Sequence, residues 1–269
     1  MKKKLMLQGP LLLQYILGQI AIFVTAPVYF AAFWLMGYRV RDIAKVRKEC
    51  ARHFGSYEGP WIICANHLTM IDSMIITYAT FSFTRHLMHY RELPWNLPER
   101  KNFQKNIVTA FLCYLCKCVP INRGGNREEM KKTLDKCTSL LEWRQPILIF
   151  PEGGRSRTGR VNTEGFSYGV GRFVKEFEEC KVMCIYLRGD SQRTYSFIPK
   201  LGERFTVDIK VFEPEGTEEN GLRAQRHYAE QIVKHIAQME TRYFDSLRQR
   251  YCGSDRSAEY RKESRYAIR

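Results

Sequence analysis

Two short apolar runs, each followed by a polar loop, decide the fold of this chain: WIICANHLTMID at 61–72 and PILIFPEGGRS at 146–156. A short apolar run that closes on a turn is typical of a buried strand. Trp61–Ala65 and Pro146–Phe150 are therefore predicted to be strands. Open α/β sheets bind their ligands in the loops that follow the strands. The loops NHLTMID and FPEGGRS are therefore predicted to carry the chemistry.

The remaining pattern alternates strands with helices, which predicts an α/β fold for the part of the chain after residue 40. Phe205–Phe212 alternates apolar and polar residues, which is typical of a half-buried strand, and Glu218–Tyr251 has apolar residues at helical spacing. The further predicted strands are Arg85–Tyr90, Lys181–Leu187 and Phe205–Phe212. The predicted helices are Ser73–Thr80, Asn102–Cys118, Asn126–Trp143, Gly165–Phe177 and Glu218–Tyr251.

The N-terminal segment is predicted to be a membrane anchor. Residues 5–38 contain no charged side chain, and about 20 apolar residues suffice to cross a bilayer. Basic residues flank both ends, which conflicts with one straight span because positive charge favours the cytoplasmic side. Since Gly18 and Pro27 interrupt the segment, we expect two short helices that enter and leave by the same face, with a single span as the alternative. The predicted domains are the anchor at 1–40, an α/β domain at 41–250 and a basic polar tail at 251–269.

The charge balance predicts an anionic partner. The 43 Lys and Arg residues exceed the 28 Asp and Glu residues, which leaves a net charge of +15. Nucleic acid, phospholipid headgroups and a phosphate-rich cofactor are all compatible with such an excess. The nine cysteines are an odd number and lie mostly in apolar runs, as expected of free thiols. We predict no metal site, because the cluster Cys113, Cys116 and Cys118 has no second pair of ligands at a suitable spacing.

The first loop pairs a histidine with a carboxylate. His67 can take a proton from a hydroxyl group if a carboxylate on its other ring nitrogen fixes its tautomer. Asp72 is five residues away and is predicted to be that carboxylate, with Asn66 holding the loop. A surface loop with an N-cap aspartate would give the same spacing. No serine elbow of the GxSxG type accompanies the pair, so the hydroxyl of a bound substrate is the predicted nucleophile.

The second loop is suited to phosphate binding. Gly153 and Gly154 allow a tight turn, and backbone N–H groups in such turns bind phosphates or a developing oxyanion. Arg155 offers the planar guanidinium that recognises phosphate. Glu152 is predicted to orient that guanidinium or to bind a substrate hydroxyl. Arg123, in VPINRGG, is predicted to be a second phosphate contact. A glycine turn with an Arg–Glu surface pair is the structural alternative.

Four blocks, with the order and spacing of the family along the chain, resemble the membrane-bound glycerolipid acyltransferases typified by lysophosphatidic acid acyltransferase, over roughly residues 57–215. NHLTMID is similar to the family's NH-x4-D block and FPEGGRS to its FPEGTRS block. VPINR is similar to a block that usually ends in Ile-Asp-Arg, and RELPW to a Lys-Glu-Leu segment. The resemblance implies a mixed sheet flanked by helices, behind an N-terminal helical anchor.

The resemblance also implies the reaction and the role of each residue. A fatty acyl group would move from a thioester of coenzyme A or acyl carrier protein to the hydroxyl of a lysophospholipid such as 1-acylglycerol-3-phosphate. The acyl thioester is a co-substrate, and no cofactor or metal is implied. By this resemblance His67 would be the general base and Asp72 its orienting partner. The substrate-binding positions would be Asn66, Arg123, Glu152, Gly153, Gly154, Arg155 and Ser156.

Departures from the family pattern concern the acceptor. Gly154 stands where the family usually has threonine, Asn122 where it has aspartate, and Glu164 where it has lysine. An O-acyltransferase that acts on a different lipid acceptor is therefore an alternative. A non-catalytic basic protein that binds anionic lipid is a second alternative. Nucleic acid is not an expected partner, and the expected location is a membrane, with the α/β domain on its cytoplasmic face.

Overall fold

The computed structural model describes residues 2–103, 106–122 and 124–266, with the backbone alone for 2–8, 103 and 250–266. Its centre is one six-stranded sheet in the order β1-β6-β5-β2-β4-β3. The β5–β6 pair is antiparallel and the other pairs are parallel, so the predicted mixed sheet is confirmed. The strands are β1 (Arg39–Val40), β2 (Trp61–Ala65), β3 (Trp95–Asn96), β4 (Ile147–Ile149), β5 (Lys181–Gly189) and β6 (Arg204–Phe212).

Nine α-helices accompany the sheet in the part of the chain that is described. They are α1 (Lys2–Leu35), α2 (Ile43–Ser56), α3 (Asp72–Thr80), α4 (Phe83–Met88), α5 (Arg100–Phe103), α6 (Ile107–Leu115), α7 (Arg127–Glu142), α8 (Gly169–Glu176) and α9 (Gly221–Tyr266). A 3₁₀ turn covers Tyr90–Glu92. Asn126 caps α7 as predicted, since its side chain accepts a hydrogen bond from the N–H of Glu128.

Helices cover both faces of the sheet because successive side chains of a strand point to opposite sides. In β2, Trp61, Ile63 and Ala65 pack on the side of α1, α2 and α3. Ile62 and Cys64 pack on the side of α7, α8 and α9. A strand that is apolar on both faces belongs at the centre of such a sheet. This arrangement places β2, and the loop that follows it, between β5 and β4.

The N-terminal segment is one continuous helix, which corrects the expectation of two short helices that re-enter the same face. Pro10 and Pro27 both lie inside α1. The physical reason is packing: residues 11, 14, 22, 26 and 33 recur at helical spacing and are all buried against the rest of the protein. The packing of these five buried residues stabilises the helix by more than the two prolines destabilise it through lost backbone hydrogen bonds. Gly9–Leu35 is long and apolar enough to cross a membrane.

Gly18 is a point of close contact between helices and not an interruption of α1. A Cβ at this position would lie 2.1 Å from the Tyr90 hydroxyl and 2.7 Å from the carbonyl oxygen of Leu115, at the end of α6. One turn earlier, the Gln14 side chain donates to the carbonyls of Tyr114 and Cys118, both at 2.9 Å. Tyr114 lies in the last turn of α6, where the backbone carbonyls have no partner within the helix. Helix α1 is therefore docked lengthwise on the α/β domain.

Three other sequence predictions differ from the structure. The predicted strand Arg85–Tyr90 is helical through Met88, because the Ser82 side chain caps α4 by accepting from the N–H of Arg85. The predicted helix Asn102–Cys118 corresponds to the separate helices α5 and α6, and the Asn106 side chain caps the second of them. Helix α9 continues to Tyr266, so it runs through most of the segment that was predicted to be a polar tail.

Substituting alanine at the two glycines of α1 tests this docking. Alanine favours a helix over glycine by about 1 kcal/mol at an exposed site. Gly9→Ala should therefore be neutral or stabilising, since a Cβ there meets nothing within 4 Å. Gly18→Ala should destabilise the protein by about 1–3 kcal/mol, because the Leu115 backbone cannot move aside cheaply. Urea unfolding in detergent measures both variants, and a Gly18→Ala protein as stable as Gly9→Ala would contradict the packing.

Candidate active site

The two predicted loops meet because their strands are neighbours. Strands β2 and β4 are parallel, with Cys64 opposite Ile149, so both chains leave the sheet at the same edge. Strand β5 lies on the other side of β2, with Ala65 opposite Ile185. The loops NHLTMID and FPEGGRS are therefore brought together at the carboxyl ends of adjacent strands.

The imidazole of His67 is held on two sides. Its Nδ1 lies 3.0 Å from Oδ2 of Asp72, at the start of α3. Its ring stacks on Phe150, with ring centroids 4.1 Å apart and an angle of 17° between the planes. The side chain keeps 16% of its surface exposed, while that of Asp72 keeps 2%. With Nδ1 engaged by the carboxylate, Nε2 is the ring nitrogen that can exchange a proton with a substrate.

Asp72 is fixed by its own loop as well as by the histidine. Its Oδ2 accepts hydrogen bonds from the N–H groups of Leu68 at 2.5 Å and Thr69 at 2.7 Å. Its Oδ1 accepts from the hydroxyl of Thr69 at 2.5 Å. The spacing of five residues thus produces a closed loop in which the carboxylate cannot leave the histidine without losing these bonds.

FPEGGRS holds the backbone of His67 on both sides. The N–H of His67 donates to Oε1 of Glu152 at 2.9 Å. The carbonyl of His67 accepts from the N–H of Ser156 at 2.8 Å. We call these two hydrogen bonds the histidine clamp. The clamp, together with the ring contact of Phe150, makes the second loop the support that holds His67 in place.

Both carboxylate oxygens of Glu152 accept hydrogen bonds from backbone N–H groups. Its Oε2 accepts from the N–H of Asn162 at 3.1 Å, while its Oε1 belongs to the clamp. Burial raises the pKa of this carboxyl from its ordinary value to about 7, against the opposing effect of the two hydrogen bonds. The nearby carboxylates of Glu240 and Asp72 raise the same pKa further. Glu152 therefore joins three segments of the site, and its geometry does not show the predicted pairing with Arg155.

Asn66 extends the sheet by one residue. Its side-chain NH₂ donates to the carbonyl of Leu187 at 2.9 Å, and its Oδ1 accepts from the N–H of the same residue at 2.7 Å. The side-chain amide thus imitates the backbone of a strand and ties the end of β2 to β5. This geometry fits the predicted role of holding the loop in place.

The glycine turn borders an open groove. Gly153 has φ +69°, a conformation that favours glycine, and its N–H donates to the carbonyl of Phe150 at 3.1 Å. Gly154 has no such restriction, and a Cβ there would meet nothing within 4 Å, so the threonine usual in the family would fit. The groove beside them has a volume of about 560 Å³, and it is lined by Arg155 and Arg157 among others.

Three predicted site residues remain to be placed: Arg155, Ser156 and Arg123. Arg155 and Ser156 line the groove with Glu152, although the Ser156 hydroxyl itself donates to the carbonyl of Arg160. Arg123 lies outside the described residues, so its predicted phosphate contact stays a prediction. Within the described residues, no group of three or more His, Cys, Asp and Glu side chains could hold a metal ion.

A supporting layer behind the groove was not predicted from the sequence. Glu240 of α9 accepts a hydrogen bond from the N–H of Val161 at 3.2 Å. The Arg188 guanidinium at the end of β5 donates to the carbonyls of Gly159 and Arg193. Its charge also lies over the Phe244 ring, 5.3 Å from the centroid. The lone acidic residue at 240 on the apolar face of a predicted helix was the signal that could have indicated this contact.

The raised pKa of Glu152 predicts a pH-dependent stability. A carboxyl whose pKa is raised by folding stabilises the native state below its unfolded pKa, and this contribution is lost as the pH rises through about 7. We therefore compare the unfolding free energies of the native protein and the Glu152→Gln variant. The difference, native minus variant, should fall by about 3 kcal/mol between acid and neutral pH. Urea unfolding of both proteins across this range measures it, and a difference that grows with pH would contradict the assignment.

Comparison with known proteins gives one finding. No curated protein sequence matches the chain. The family model described as Acyltransferase matches residues 38–188, which include both loops of the site and more than half of the 269 residues. The match confirms the resemblance stated from the four sequence blocks. The chain belongs to the acyltransferase family, the family of glycerolipid acyltransferases such as lysophosphatidic acid acyltransferase.

Proposed function

We propose that the protein transfers a fatty acyl group from an acyl thioester to the hydroxyl of a lysophospholipid, with His67 as the general base. The observation that carries the proposal is the pair of His67 and Asp72, joined at 3.0 Å inside the histidine clamp. A general base needs a fixed tautomer and a fixed position, because proton transfer requires hydrogen-bond distance to the substrate. The family supports acyl transfer in general.

The reaction is proposed to be direct. Nε2 of His67 takes the proton of the acceptor hydroxyl as its oxygen attacks the thioester carbonyl. The tetrahedral intermediate collapses, the carbon–sulfur bond breaks, and the thiolate leaves with the electron pair of that bond. The imidazolium returns its proton to the thiolate, so the histidine is neutral again after each turnover. Asp72 stabilises the imidazolium while it exists, as the aspartate does in a Ser–His–Asp triad.

The acceptor is proposed to carry a phosphate. Arg155 and Arg157 line the groove along residues 152–164, where Glu152 and Ser156 also hold the backbone of His67. Guanidinium groups bind phosphate through paired hydrogen bonds. Both oxygens of Glu152 already accept backbone hydrogen bonds, so we assign this residue to positioning of the loop and not to the substrate. 1-Acylglycerol-3-phosphate fits these requirements, and another phosphate-bearing lysolipid would use the same contacts.

The protein is proposed to work at a membrane. The outward face of α1 exposes large apolar side chains, including Ile20, Phe23 and Val28, as expected of a helix in contact with lipid. Basic residues follow directly after α1, from Arg39 to Lys48, which favours the cytoplasmic side for the α/β domain. Coenzyme A or acyl carrier protein would deliver the acyl group from that side. These features suit a role in phospholipid biosynthesis.

Replacing the histidine tests the mechanism. His67→Ala should lower kcat by about 10²–10⁴-fold, the usual contribution of a general base, with little change in stability. His89→Ala is the matched control, since that side chain is half exposed and contacts Glu92 away from the site. Activity is measured as acyl transfer from acyl-CoA or acyl carrier protein thioester to a panel of lysolipids. Comparable turnover by the His67→Ala and native proteins would exclude His67 as the base.

Replacing the groove arginine tests the acceptor. Arg155→Gln should raise KM for lysophosphatidic acid by about tenfold or more, because a charge-assisted hydrogen bond contributes roughly 1.5–3 kcal/mol. The KM for an uncharged monoacylglycerol should change much less. Arg172→Gln is the control, since Arg172 lies on α8 and pairs there with Asp135 and Glu176. Equal effects on both acceptors would contradict a phosphate contact at Arg155.

A further inference from the structure

An exposed apolar loop lies next to the histidine. Residues 195–201, YSFIPKL, lie in the connection from β5 to β6, and we call them the 195–201 loop. The exposed fractions of Phe197, Ile198 and Leu201 are 63%, 49% and 79%. Contiguous exposed apolar groups of this kind are rare on soluble proteins outside interaction sites. The acyl transfer proposed above uses none of these side chains.

The 195–201 loop is bound directly to the segment that carries His67. The N–H of Ser196 donates to the carbonyl of Leu68 at 3.1 Å. The N–H of Met70 donates to the carbonyl of Phe197, also at 3.1 Å. The backbone on the C-terminal side of the histidine is thus paired with the apolar loop. Whatever contacts this loop is therefore held at the edge of the active site.

The same loop continues the exposed face of α1. The N–H of Gly202, directly after the loop, donates to the carbonyl of Met36 at 2.8 Å. The Tyr38 hydroxyl donates to the carbonyl of Pro199 at 2.9 Å. Trp34 and Leu35, the last residues of α1, expose 77% and 75% of their surfaces. One apolar surface therefore runs from the outward side of α1 to the vicinity of His67.

The charges around the loop indicate which partner this surface fits. Residues 191–202 contain two basic residues and no acidic one, and Arg193 and Lys200 are both exposed. Arg155 lies over the ring of the half-exposed Tyr195, with its guanidinium carbon 5.7 Å from the centroid. Apolar side chains flanked by aromatic and basic groups are the composition that binds the interface of an anionic membrane.

We propose that the 195–201 loop enters the boundary between headgroups and acyl chains of an anionic membrane, as a second contact besides α1. The two contacts together place the opening of the active site against the leaflet. A lysolipid acceptor then reaches His67 by moving sideways out of the membrane, without passing through water. The inference rests on the proposed function, because it gives the lipid substrate its route to the site.

A tryptophan reporter tests where the loop lies. Leu201→Trp and Leu222→Trp are prepared in a Trp34→Phe background of the full chain. Leu222 is the matched control, since it is 70% exposed but begins α9, next to the end of α8. With vesicles of phosphatidylcholine and phosphatidylserine that carry brominated acyl chains, the emission of Leu201→Trp should shift to the blue and be quenched. The emission of Leu222→Trp should change little.

Kinetics provide a second readout. Leu201→Ser should lower the ratio of activity on a long-chain acceptor in vesicles to activity on a short-chain soluble acceptor by about tenfold, as expected from the loss of one buried leucine side chain. Leu222→Ser should leave this ratio unchanged. If the enzyme proved inactive on every acceptor, the acyl-transfer proposal would fail while the fluorescence result would still decide the position of the loop.

Three results would overturn the membrane contact. The first is equal quenching of the reporters at 201 and 222, which would mean that the loop has no special place in the membrane. The second is an emission of Leu201→Trp whose wavelength and intensity do not change when vesicles are added. The third is an emission of Leu201→Trp that depends on protein concentration and not on lipid, which would identify a second copy of the chain as the partner of the loop.

Discussion

The two hydrogen bonds to the backbone of His67 are the interaction on which the rest of the site depends. One runs from its N–H to the buried carboxylate of Glu152, and the other from the N–H of Ser156 to its carbonyl. The imidazole is then held between Asp72 and the ring of Phe150. A general base is effective only when its position is fixed before the substrate arrives. The FPEGGRS loop holds His67 in place and also forms one wall of the neighbouring groove.

The sheet makes the clamp possible. Strands β2 and β4 run side by side in the same direction, so the two loops leave the sheet at one edge. Asn66 binds the first loop to β5, and Arg188 at the end of β5 binds the carbonyl of Gly159, in the loop segment that follows FPEGGRS. Helix α9 adds Glu240, which accepts a hydrogen bond from that loop. The site is therefore supported by residues that come from widely separated parts of the sequence.

The sequence predicted best where local pattern and burial agree. Trp61–Ala65 is a strand with the predicted bounds, and the Asn126 cap of α7 was also foreseen. The prediction of two short helices from Gly18 and Pro27 was wrong. The contacts that keep α1 continuous come from residues about a hundred positions away, so the local sequence does not show them. The sequence also could not predict that both carboxylate oxygens of Glu152 accept hydrogen bonds from backbone N–H groups. A glutamate three residues before an arginine suggests an ion pair, and only the fold shows which N–H groups lie close to the carboxylate.

Direct transfer without an acylated protein is the central claim, and one measurement tests it. Purified protein is incubated with radiolabelled acyl thioester in the absence of acceptor, denatured, and assayed for label bound to the chain. Acceptor is added to a parallel sample before denaturation. Direct transfer predicts that no acyl-protein passes its label to added acceptor, and that thiol is released only when acceptor is present. A stoichiometric acyl-protein that passes its label to the lysolipid would contradict the account.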